Sequence, residues 1–233
     1  MFSGKIVVVT GAAGALGSAV FEHFADRGAQ VVALDYSDEL LGSAFSHKSE
    51  AHRYLTADLT SAESCANVFK TVIADLGRID VLCNVAGGFM MGEAVHETSD
   101  KTWGFLMNLN ARSIVNTAQC VVPHMLEQGG GKIINVAAGA ATRGVANMGV
   151  YTASKAAVMR LTEAMSAELR ENSINVNAIM PSMIDTPRNR EDMPDADYSK
   201  WVPPEQLASV MGFLASDAAA AVHGVCIPVD GLS

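Results

Sequence analysis

The sequence lacks the features that mark nucleic-acid-binding, membrane and metal-binding proteins. Its 16 Lys and Arg residues are outnumbered by 25 Asp and Glu, and the formal net charge of -9 argues against nucleic-acid binding, which normally shows a basic surface. No uninterrupted apolar run approaches the ~20 residues that a membrane-spanning helix needs. The six histidines are scattered without metal-ligand spacing, so we predict no metal site.

Cysteine is scarce and shows no pairing pattern. The four cysteines lie far apart, and none of them forms a C-x-x-C motif: Cys65, Cys83, Cys120 and Cys226. Such cysteines are typical of buried thiols in a reducing compartment. The segment from Met1 to Lys5 leads directly into a strand pattern without the layout of a signal peptide. The sequence therefore predicts a cytoplasmic protein.

Strand-like and helix-like segments alternate along the 233 residues, of which 49% are hydrophobic. The predicted strands are Lys5 to Thr10, Gln30 to Leu34, a third before Asp58, Asp80 to Val85, Lys132 to Val136, Ile174 to Ile179 and Val225 to Val229. The predicted helices are Ala15 to Arg27, Ser61 to Leu76, Lys101 to Met125, Tyr151 to Glu171 and Pro204 to Ala215. This alternation predicts an α/β fold: a single Rossmann-type domain over residues 1–233, with a doubly wound parallel sheet of about seven strands flanked by helices.

One connection is too long for a tight turn. Pro181 to Pro203 is irregular, rich in Pro, Asp and Met, and contains Tyr198 and Trp201. A connection of this length is usually a binding loop or an active-site lid. We therefore predict a substrate lid at about residues 182–203, and the alternative is a disordered insertion.

A glycine-rich turn between the first strand and the first helix indicates a nucleotide site. Glycines at 11, 14 and 17 allow a tight turn and close approach of the backbone to a pyrophosphate, which the N-terminus of the next helix also favours. Asp35 ends the second strand, where a carboxylate can accept hydrogen bonds from the ribose hydroxyls of NAD and would repel the extra phosphate of NADP. We therefore predict NAD(H) in preference to NADP(H), and the alternative for Asp35 is a turn residue.

Two further segments follow strands at the same edge of the predicted sheet. Asp58 comes after the third strand, and Asn84-Val85-Ala86-Gly87-Gly88 ends the fourth. Glycines there would let a cofactor lie across the strand ends, in the crevice expected for such sheets. The alternatives are a helix N-cap for Asp58 and purely structural glycine turns.

Tyr151 and Lys155 share one face of a predicted helix, one turn apart. A nearby ammonium group favours the phenolate and lowers a tyrosine pKa that is ordinarily about 10. A phenol tuned in this way can donate or accept a proton during a reaction. The pair alone is a weak signal, because two such residues on a helix are usually a solvated face.

The motifs T-G-A-A-G-A-L-G, Asp58-Leu59, N-V-A-G and Y-T-A-S-K occur in this order, and with them the chain resembles the short-chain dehydrogenase/reductase family over nearly its whole length. The resemblance implies that Tyr151 is the proton donor, and that Lys155 lowers its pKa and holds the nicotinamide ribose. Asn110 matches the family's helix asparagine, which maintains a water chain to the lysine. Pro181 to Thr186 looks like the family's nicotinamide-contacting segment, with Thr186 implied to hydrogen-bond the carboxamide.

Motifs and resemblance together predict the residues of the site. The predicted catalytic residues are Tyr151, Lys155 and Asn110. Cofactor-binding positions are predicted at Gly11, Gly14, Ala15, Leu16, Gly17, Asp35, Asp58, Leu59, Asn84, Ala86, Gly87, Pro181, Ile184 and Thr186, together with Tyr151 and Lys155. Substrate-side positions are predicted at Gly88, Phe89, Ala138, Met148, Met193 and Trp201.

Two positions depart from the family pattern. Ala15 stands where the second glycine of T-G-x-x-x-G-x-G is usual, with Gly14 beside it. Ala138 stands where a catalytic serine is usual, thirteen positions before Tyr151, and alanine cannot donate a hydrogen bond to a substrate oxygen. Losing such a donor commonly costs ~10²-fold or more in rate when charge develops on that oxygen. The protein is therefore either a poor ketone reductase or acts on a substrate that does not need the serine.

The predicted lid favours one branch of the family. Asp185 to Trp201 resembles the stretch D-T-P-x-N-R-x-x-M-P-x-A-D-x-S-x-W of dihydropteridine reductases, a group that also carries alanine at the serine position. The resemblance implies NADH-dependent reduction of a quinonoid dihydropteridine-like substrate. Negative charge would then spread over ring nitrogens, so a serine donor would matter less.

Two alternative functions remain open on the sequence. The first is a short-chain dehydrogenase of an alcohol or ketone, of 3-oxoacyl or sugar type, and the second is an NAD(H)-binding protein with little catalysis. The resemblance also implies a homodimer or homotetramer formed through the helices over Lys101 to Met125 and Tyr151 to Glu171. We expect a small-molecule substrate, and neither nucleic acid nor membrane as a partner.

Overall fold

Strands and helices alternate along residues 2–232, the part of the chain that the computed structural model describes. The strands are β1 (Ile6–Thr10), β2 (Gln30–Asp35), β3 (Arg53–Thr56), β4 (Val81–Asn84), β5 (Gly131–Val136), β6 (Ile174–Pro181) and β7 (Cys226–Val229). The α-helices are α1 (Ala15–Ala25), α2 (Asp38–Ala44), α3 (Ala62–Leu76), α4 (Asp100–Leu106), α5 (Ser113–Glu127), α6 (Gly149–Leu169), α7 (Pro187–Asp192) and α8 (Pro204–Ala215).

All strands form one parallel sheet in the order β3-β2-β1-β4-β5-β6-β7. The chain order reverses at β1, whose Val9 is in register with Ala33 of β2 on one side and with Cys83 of β4 on the other. A crevice at the carboxyl ends of the strands is expected at such a switch point. The predicted parallel, doubly wound sheet of about seven strands, flanked by helices, is therefore confirmed.

The core has two layers because side chains of a strand alternate between the two faces of the sheet. Val7 and Val9 of β1 are fully buried on the face covered by α1 and α8, whereas Ile6 and Val8 are buried on the face covered by α3 and α5. Both faces of β1 are thus apolar, which is why the strand reads as a continuous β-branched run. The two helical layers hold its carboxyl end at the crevice.

The predicted helix over Lys101 to Met125 is present as a continuous helical segment, but its hydrogen bonding is not α-helical throughout. A π-helical turn, Met107–Arg112, separates α4 from α5 and contains Asn110. Such a turn adds one residue to an α-helix and is common at functional sites. It changes which carbonyl each N–H bonds to while the residues stay ordinary helix formers, so the sequence pattern did not reveal it.

The helix α2 was also missed by the sequence analysis. It is short, is capped by the Ser37 hydroxyl, which accepts a hydrogen bond from the Leu40 N–H, and buries only Leu41. One buried apolar residue gives no helical periodicity to detect. The remaining predicted helices end within a few residues of the observed bounds.

The connection after β6 is folded upon itself and contains α7. Its two ends are joined by a parallel bridge between Ile184 and Val202, with hydrogen bonds on both sides of that bridge. Inside the connection, Arg190 forms paired hydrogen bonds with Asp185 at 2.6 and 2.7 Å. The segment is therefore a braced loop with a defined base. Within residues 2–232, no helix is both long and apolar enough to cross a membrane.

Candidate active site

A cavity of about 870 Å³ opens at the carboxyl ends of the central strands, at the switch point between β1 and β4. This volume lies within the range of roughly 300–1,000 Å³ that is usual for ligand sites. Most of the predicted site residues line it: Gly11, Gly14, Leu16, Gly17, Asp35, Asp58, Leu59, Ala86, Gly87, Gly88, Phe89, Ala138, Tyr151, Lys155, Pro181 and Ile184. The structure thus brings together segments that lie up to 173 positions apart in the sequence, from Gly11 to Ile184.

The glycine turn after β1 is fixed by close backbone contacts. Gly11 has a φ of +63°, and a Cβ there would lie 2.8 Å from the Cα of Ala86. A Cβ on Gly17 would collide with the carbonyl oxygen of Gly11. Gly14 has ordinary space, and Ala15 begins α1 with an exposed methyl group that does not line the cavity. Gly11 and Gly17 are therefore the two positions at which this turn requires glycine.

Thr10 was not among the predicted site residues, and it joins the two central strand ends. Its hydroxyl oxygen accepts hydrogen bonds from the N–H groups of Val85 and Ala86, at 3.1 and 3.2 Å. The side chain is almost fully buried. Thr10 therefore fixes the segment after β4 against the glycine turn, and in the sequence it is the first residue of the motif T-G-A-A-G-A-L-G.

Asp35 lies at the end of β2 on the cavity wall, and its carboxylate accepts two backbone hydrogen bonds. The N–H of Ala13, in the glycine turn, donates to Oδ2 at 2.8 Å, and the N–H of Tyr36 donates to Oδ1 at 2.7 Å. Asp35 therefore holds the glycine turn and presents negative charge to the cavity at the same time. An ionised carboxylate has further lone pairs for hydroxyl donors of a ligand.

Asp58 and Leu59 line the cavity next to Asp35. The Asp58 carboxylate accepts hydrogen bonds from the N–H and the hydroxyl of Thr60, at 2.9 and 2.7 Å. Ser61, and not Asp58, is the residue that caps α3. The alternative that Asp58 is the helix N-cap is therefore wrong.

Asn84 does not line the cavity, contrary to its predicted place in the cofactor site. Its side chain is buried beneath the sheet ends, where its amide donates to Asn135 Oδ1 at 2.9 Å and its carbonyl oxygen accepts from the Thr117 hydroxyl at 3.0 Å. Asn135 in turn donates to the Thr162 hydroxyl at 2.9 Å. Both polar ends of Asn84 are thus satisfied inside the protein, and its role is to join β4 to β5 and α5.

Tyr151 and Lys155 lie near the start of α6 and face the cavity. The ring of Tyr151 packs edge-on against Phe89, with ring centroids 4.8 Å apart. Burial raises the pKa of Tyr151, and burial lowers the pKa of Lys155 from 10.5 to about 8. The Lys155 ammonium donates to the Val136 carbonyl at 2.8 Å. The expected lowering of the Tyr151 pKa by Lys155 is therefore not found, because desolvation of the phenol is the dominant influence.

Asn110 is held by the π-helical turn just behind the cavity wall. Its Oδ1 accepts from the Gly88 N–H at 2.8 Å, and its Nδ2 donates to the Gly88 carbonyl at 3.0 Å. A Cβ on Gly87 would lie 3.0 Å from both Asn110 Oδ1 and Lys155 Nζ, so glycine at 87 leaves room for both groups. Asn110 therefore binds the backbone of the segment after β4 with both ends of its side chain.

The predicted substrate side is only partly brought together. Gly88, Phe89 and Ala138 line the main cavity, and Phe89 is 55% exposed. Met148 lines a separate cavity of about 50 Å³ on the other side of Tyr151. Among the described residues, no three His, Cys, Asp or Glu side chains are grouped closely enough to hold a metal ion.

Three residues of the loop after β6 do not line the cavity, contrary to prediction. Trp201 is 8% exposed and packs against Tyr198, with ring centroids 4.8 Å apart. The Thr186 hydroxyl caps α7 by accepting a hydrogen bond from the Asn189 N–H. Met193 follows α7 as its C-cap residue and is likewise absent from the cavity wall. The Trp201 and Thr186 side chains stabilise the loop, and only Ser182 and Ile184 of this connection line the cavity.

The residues around the glycine turn fit a dinucleotide. The first N–H groups of an α-helix have no partner within the helix, and they favour an anion such as a pyrophosphate. In α1 these groups follow Gly14, which provides no side-chain cap, and the first turn contains no acidic residue. The turn is therefore open to a phosphate group, and the Asp35 carboxylate lies beside it.

Comparison with known proteins agrees with a dinucleotide-binding protein. The family model described as short chain dehydrogenase matches residues 5–197. A D-threitol dehydrogenase from Mycolicibacterium smegmatis is 34% identical over 240 residues, covering 98% of this chain and 92% of the relative. The 3-oxoacyl-(acyl-carrier-protein) reductase FabG of Thermotoga maritima is 33% identical, covering 98% of this chain and 97% of the relative.

A solved structure of similar shape supports this result. The NAD+-bound xylitol dehydrogenase has a TM-score of 0.91 and 27% sequence identity, over 99% of each chain. A parallel sheet with a glycine turn at its switch point is typical of dinucleotide-binding proteins, and the family match makes the protein an oxidoreductase. The chain belongs to the short-chain dehydrogenase/reductase family.

Proposed function

We propose that the protein is an NAD(H)-dependent dehydrogenase that interconverts a small alcohol and the corresponding ketone, with Tyr151 as the group that moves the proton. The observation that carries this proposal is the placement of Tyr151 and Lys155 on the same cavity wall as the glycine turn and Asp35. Relatives named for threitol and 3-oxoacyl substrates support the same class of reaction. This is the alcohol or ketone alternative of the sequence analysis.

The chemistry divides between the cofactor and the side chains of this chain. NAD(H), when bound, supplies or accepts the hydride. Tyr151 holds the proton: burial raises its pKa, so the phenol is protonated at neutral pH and can donate to a substrate oxygen. Lys155, whose pKa of about 8 keeps it mainly protonated at neutral pH, provides the positive charge beside the forming alkoxide or phenolate.

A substrate panel tests the proposal. The purified protein is incubated with NAD+ and polyols or secondary alcohols, and with NADH and the matching ketones or 3-oxoacyl thioesters, while absorbance of NADH is followed. We expect turnover in at least one pair, reversible when the partner substrates are exchanged. Tight NADH binding without turnover over the whole panel would contradict the proposal and favour a cofactor-binding protein with little catalysis.

A second candidate is reduction of a quinonoid dihydropterin, and Ala138 favours it. Ala138 lies on the cavity wall, buried and in extended backbone, and it cannot donate a hydrogen bond to a localised oxyanion. A conjugated acceptor spreads negative charge over its ring and needs that donor less. The resemblance of the lid supports the same substrate. The panel therefore includes NADH with quinonoid dihydropterin generated in the cuvette.

Ala138→Ser separates the two candidates. Serine at this position would place a hydroxyl on the cavity wall, where it could donate a hydrogen bond to the substrate oxygen that becomes negatively charged when a ketone is reduced. We therefore expect ketone or alcohol turnover to rise by up to ~10²-fold. Turnover of a quinonoid dihydropterin is expected to change less than about threefold, because its charge is delocalised. The measurement is kcat/KM for both substrates, with Ala140→Ser, in the adjacent turn and away from the cavity, as the control.

Asp35 supports the preference for NAD(H), and Asp35→Asn tests it. The asparagine side chain has no negative charge to repel the 2′-phosphate of NADP(H), and its oxygen can still accept a hydrogen bond from a backbone N–H. Because hydrogen bonds to charged groups contribute about 1.5–3 kcal/mol, we expect the affinity for NADH to fall roughly 10- to 100-fold. The ratio of the affinity for NADH to the affinity for NADPH should fall as well. Fluorescence titration with each cofactor measures both. Asp26→Asn, at the exposed far end of α1, is the control, and an unchanged ratio in Asp35→Asn would remove Asp35 as the determinant.

Two structural features belong to the same proposal. The braced connection over residues 182–203 is proposed as the substrate lid, because its base reaches the cavity through Ser182 and Ile184. A homodimer or homotetramer is proposed through α4, α5 and α6, because Trp103 of α4 leaves a large apolar surface exposed. Size measurement in solution distinguishes these states.

A further inference from the structure

Ser154 is a buried polar residue that the reaction itself does not use. It lies on α6 between Tyr151 and Lys155, and its side chain is fully inaccessible to solvent. Its hydroxyl donates to the Tyr151 backbone carbonyl at 2.8 Å and accepts from Asn110 Nδ2 at 2.9 Å. The single hydroxyl proton is thus committed to Tyr151, and one lone pair to Asn110.

Asn110 is fully satisfied only when Ser154 is present. Its amide nitrogen has two protons, of which one bonds to the Gly88 carbonyl and the other to Ser154 Oγ. Its Oδ1 is bonded to the Gly88 N–H. Because Asn110 is 1% exposed, removal of the serine oxygen would leave a buried donor without an acceptor, which is costly.

We propose that Ser154 is a positioning residue, which fixes the backbone of Gly88 relative to Tyr151 by holding the Asn110 side chain on the π-helical turn. The connection runs from the Tyr151 carbonyl through Ser154 Oγ and Asn110 to both backbone groups of Gly88. Gly88 and Tyr151 both line the main cavity, on elements that are 63 positions apart in the sequence. The backbone of Tyr151 and the Gly88 part of the cavity wall are therefore joined by one chain of hydrogen bonds.

The competing explanation is local. A serine in a helix often bonds the carbonyl three or four residues earlier without further consequence. That explanation accounts for the bond to Tyr151 and makes the contact with Asn110 incidental. It predicts that Ser154→Ala affects neither Gly88 nor the rate, beyond a general loss of stability.

Hydrogen exchange at Gly88 tests the proposal without reference to activity. The Gly88 N–H donates to Asn110 Oδ1, so its exchange reports whether Asn110 stays in place. In Ser154→Ala we expect the Gly88 N–H to exchange its hydrogen at least roughly tenfold faster than in the parent chain. Ser166→Ala deletes a buried hydroxyl about three turns further along the same helix and is the matched control, with Gly88 exchange unchanged. Unchanged Gly88 exchange in Ser154→Ala would overturn the proposal, whatever the substrate of the enzyme proves to be.

A second test measures activity, so it rests on the proposed function, and it uses a double-mutant cycle of Ser154 and Asn110. With a substrate found in the panel, Ser154→Ala is expected to lower kcat roughly 10- to 100-fold with little change in KM, as misplacement of reacting groups does. In an Asn110→Ala background the same serine change should cost nothing more, because Ser154 acts through Asn110. Independent, multiplying losses would contradict the proposal. Should Asn110→Ala not fold, the Gly88 exchange in Ser154→Ala decides alone.

Discussion

Tyr151→Phe is expected to lower kcat by roughly 10²- to 10⁴-fold while leaving NADH binding nearly unchanged. General acid–base groups commonly contribute this much, and phenylalanine removes the proton without removing the ring. The edge-on contact with Phe89, at 4.8 Å between ring centroids, is made by the ring and survives the substitution. The loss therefore falls on the chemical step, and it is measured as kcat beside the NADH dissociation constant.

The matched control for this prediction is Tyr54→Phe. Tyr54 lies on β3, packs against Phe21 and Phe45, and accepts a hydrogen bond from Ser49 N–H, all away from the cavity. Removing its hydroxyl should leave kcat within about twofold of the parent. A Tyr151→Phe enzyme that retained most of its activity would exclude Tyr151 as the proton donor. Another acid on the cavity wall, or water, would then supply the proton.

The sheet could be predicted from the sequence because its strands carry a strong and local signal. β1 is buried on both faces, so its apolar residues are continuous, and the following glycine turn marks its end. The helices that cover the sheet have an apolar stripe of ordinary spacing. The π-helical turn at Met107–Arg112 has no such signal, because one extra residue in a turn changes hydrogen bonding and not composition.

The site residues could be predicted where a motif fixes the path of the backbone. They could be predicted less well where hydrogen-bond or packing partners determine whether a side chain faces the cavity. Gly11 and Asp35 lie on the cavity because each is at or next to the end of a strand, and Gly17 lies there in the first turn of α1. Asn84 also ends a strand, but Asn135 and Thr117 satisfy its side chain inside the protein, and neither partner is near it in sequence. Trp201 was predicted on the substrate side because it lies in the predicted lid, whereas in the structure it packs against Tyr198 and is buried in the loop.

Lys155→Met is expected to abolish measurable turnover and, at pH 7, to raise the free energy of unfolding. Turnover is lost because the positive charge beside Tyr151 disappears. Stability rises because burial of the ammonium lowers the pKa of Lys155 from 10.5 to about 8. At about 1.4 kcal/mol per pH unit, this shift corresponds to roughly 3 kcal/mol of desolvation cost in the folded protein. The loss of the hydrogen bond to the Val136 carbonyl offsets about 1 kcal/mol or more of the gain.

The dependence on pH distinguishes this cause from a simple packing effect. A group whose pKa is lower in the folded than in the unfolded state makes the unfolded chain bind more protons between the two values, so stability increases with pH there. Below pH 8 both states of the parent carry the charge and the full cost is present, whereas between about 8 and 10.5 the folded state releases the proton and the cost disappears. The advantage of Lys155→Met should therefore shrink by roughly 3 kcal/mol across that window.

Denaturant unfolding of both proteins at several pH values from 7 to 10.5 gives the difference directly, since groups common to both cancel. Lys70→Met, which replaces an exposed lysine on α3, is the control variant. Parallel curves for the parent and Lys155→Met would mean that the buried lysine titrates normally. A converging pair would show that the chain keeps a destabilising charge in its core, and a lysine that opposes folding while lining the cavity beside Tyr151 is the pattern expected of a group retained for function.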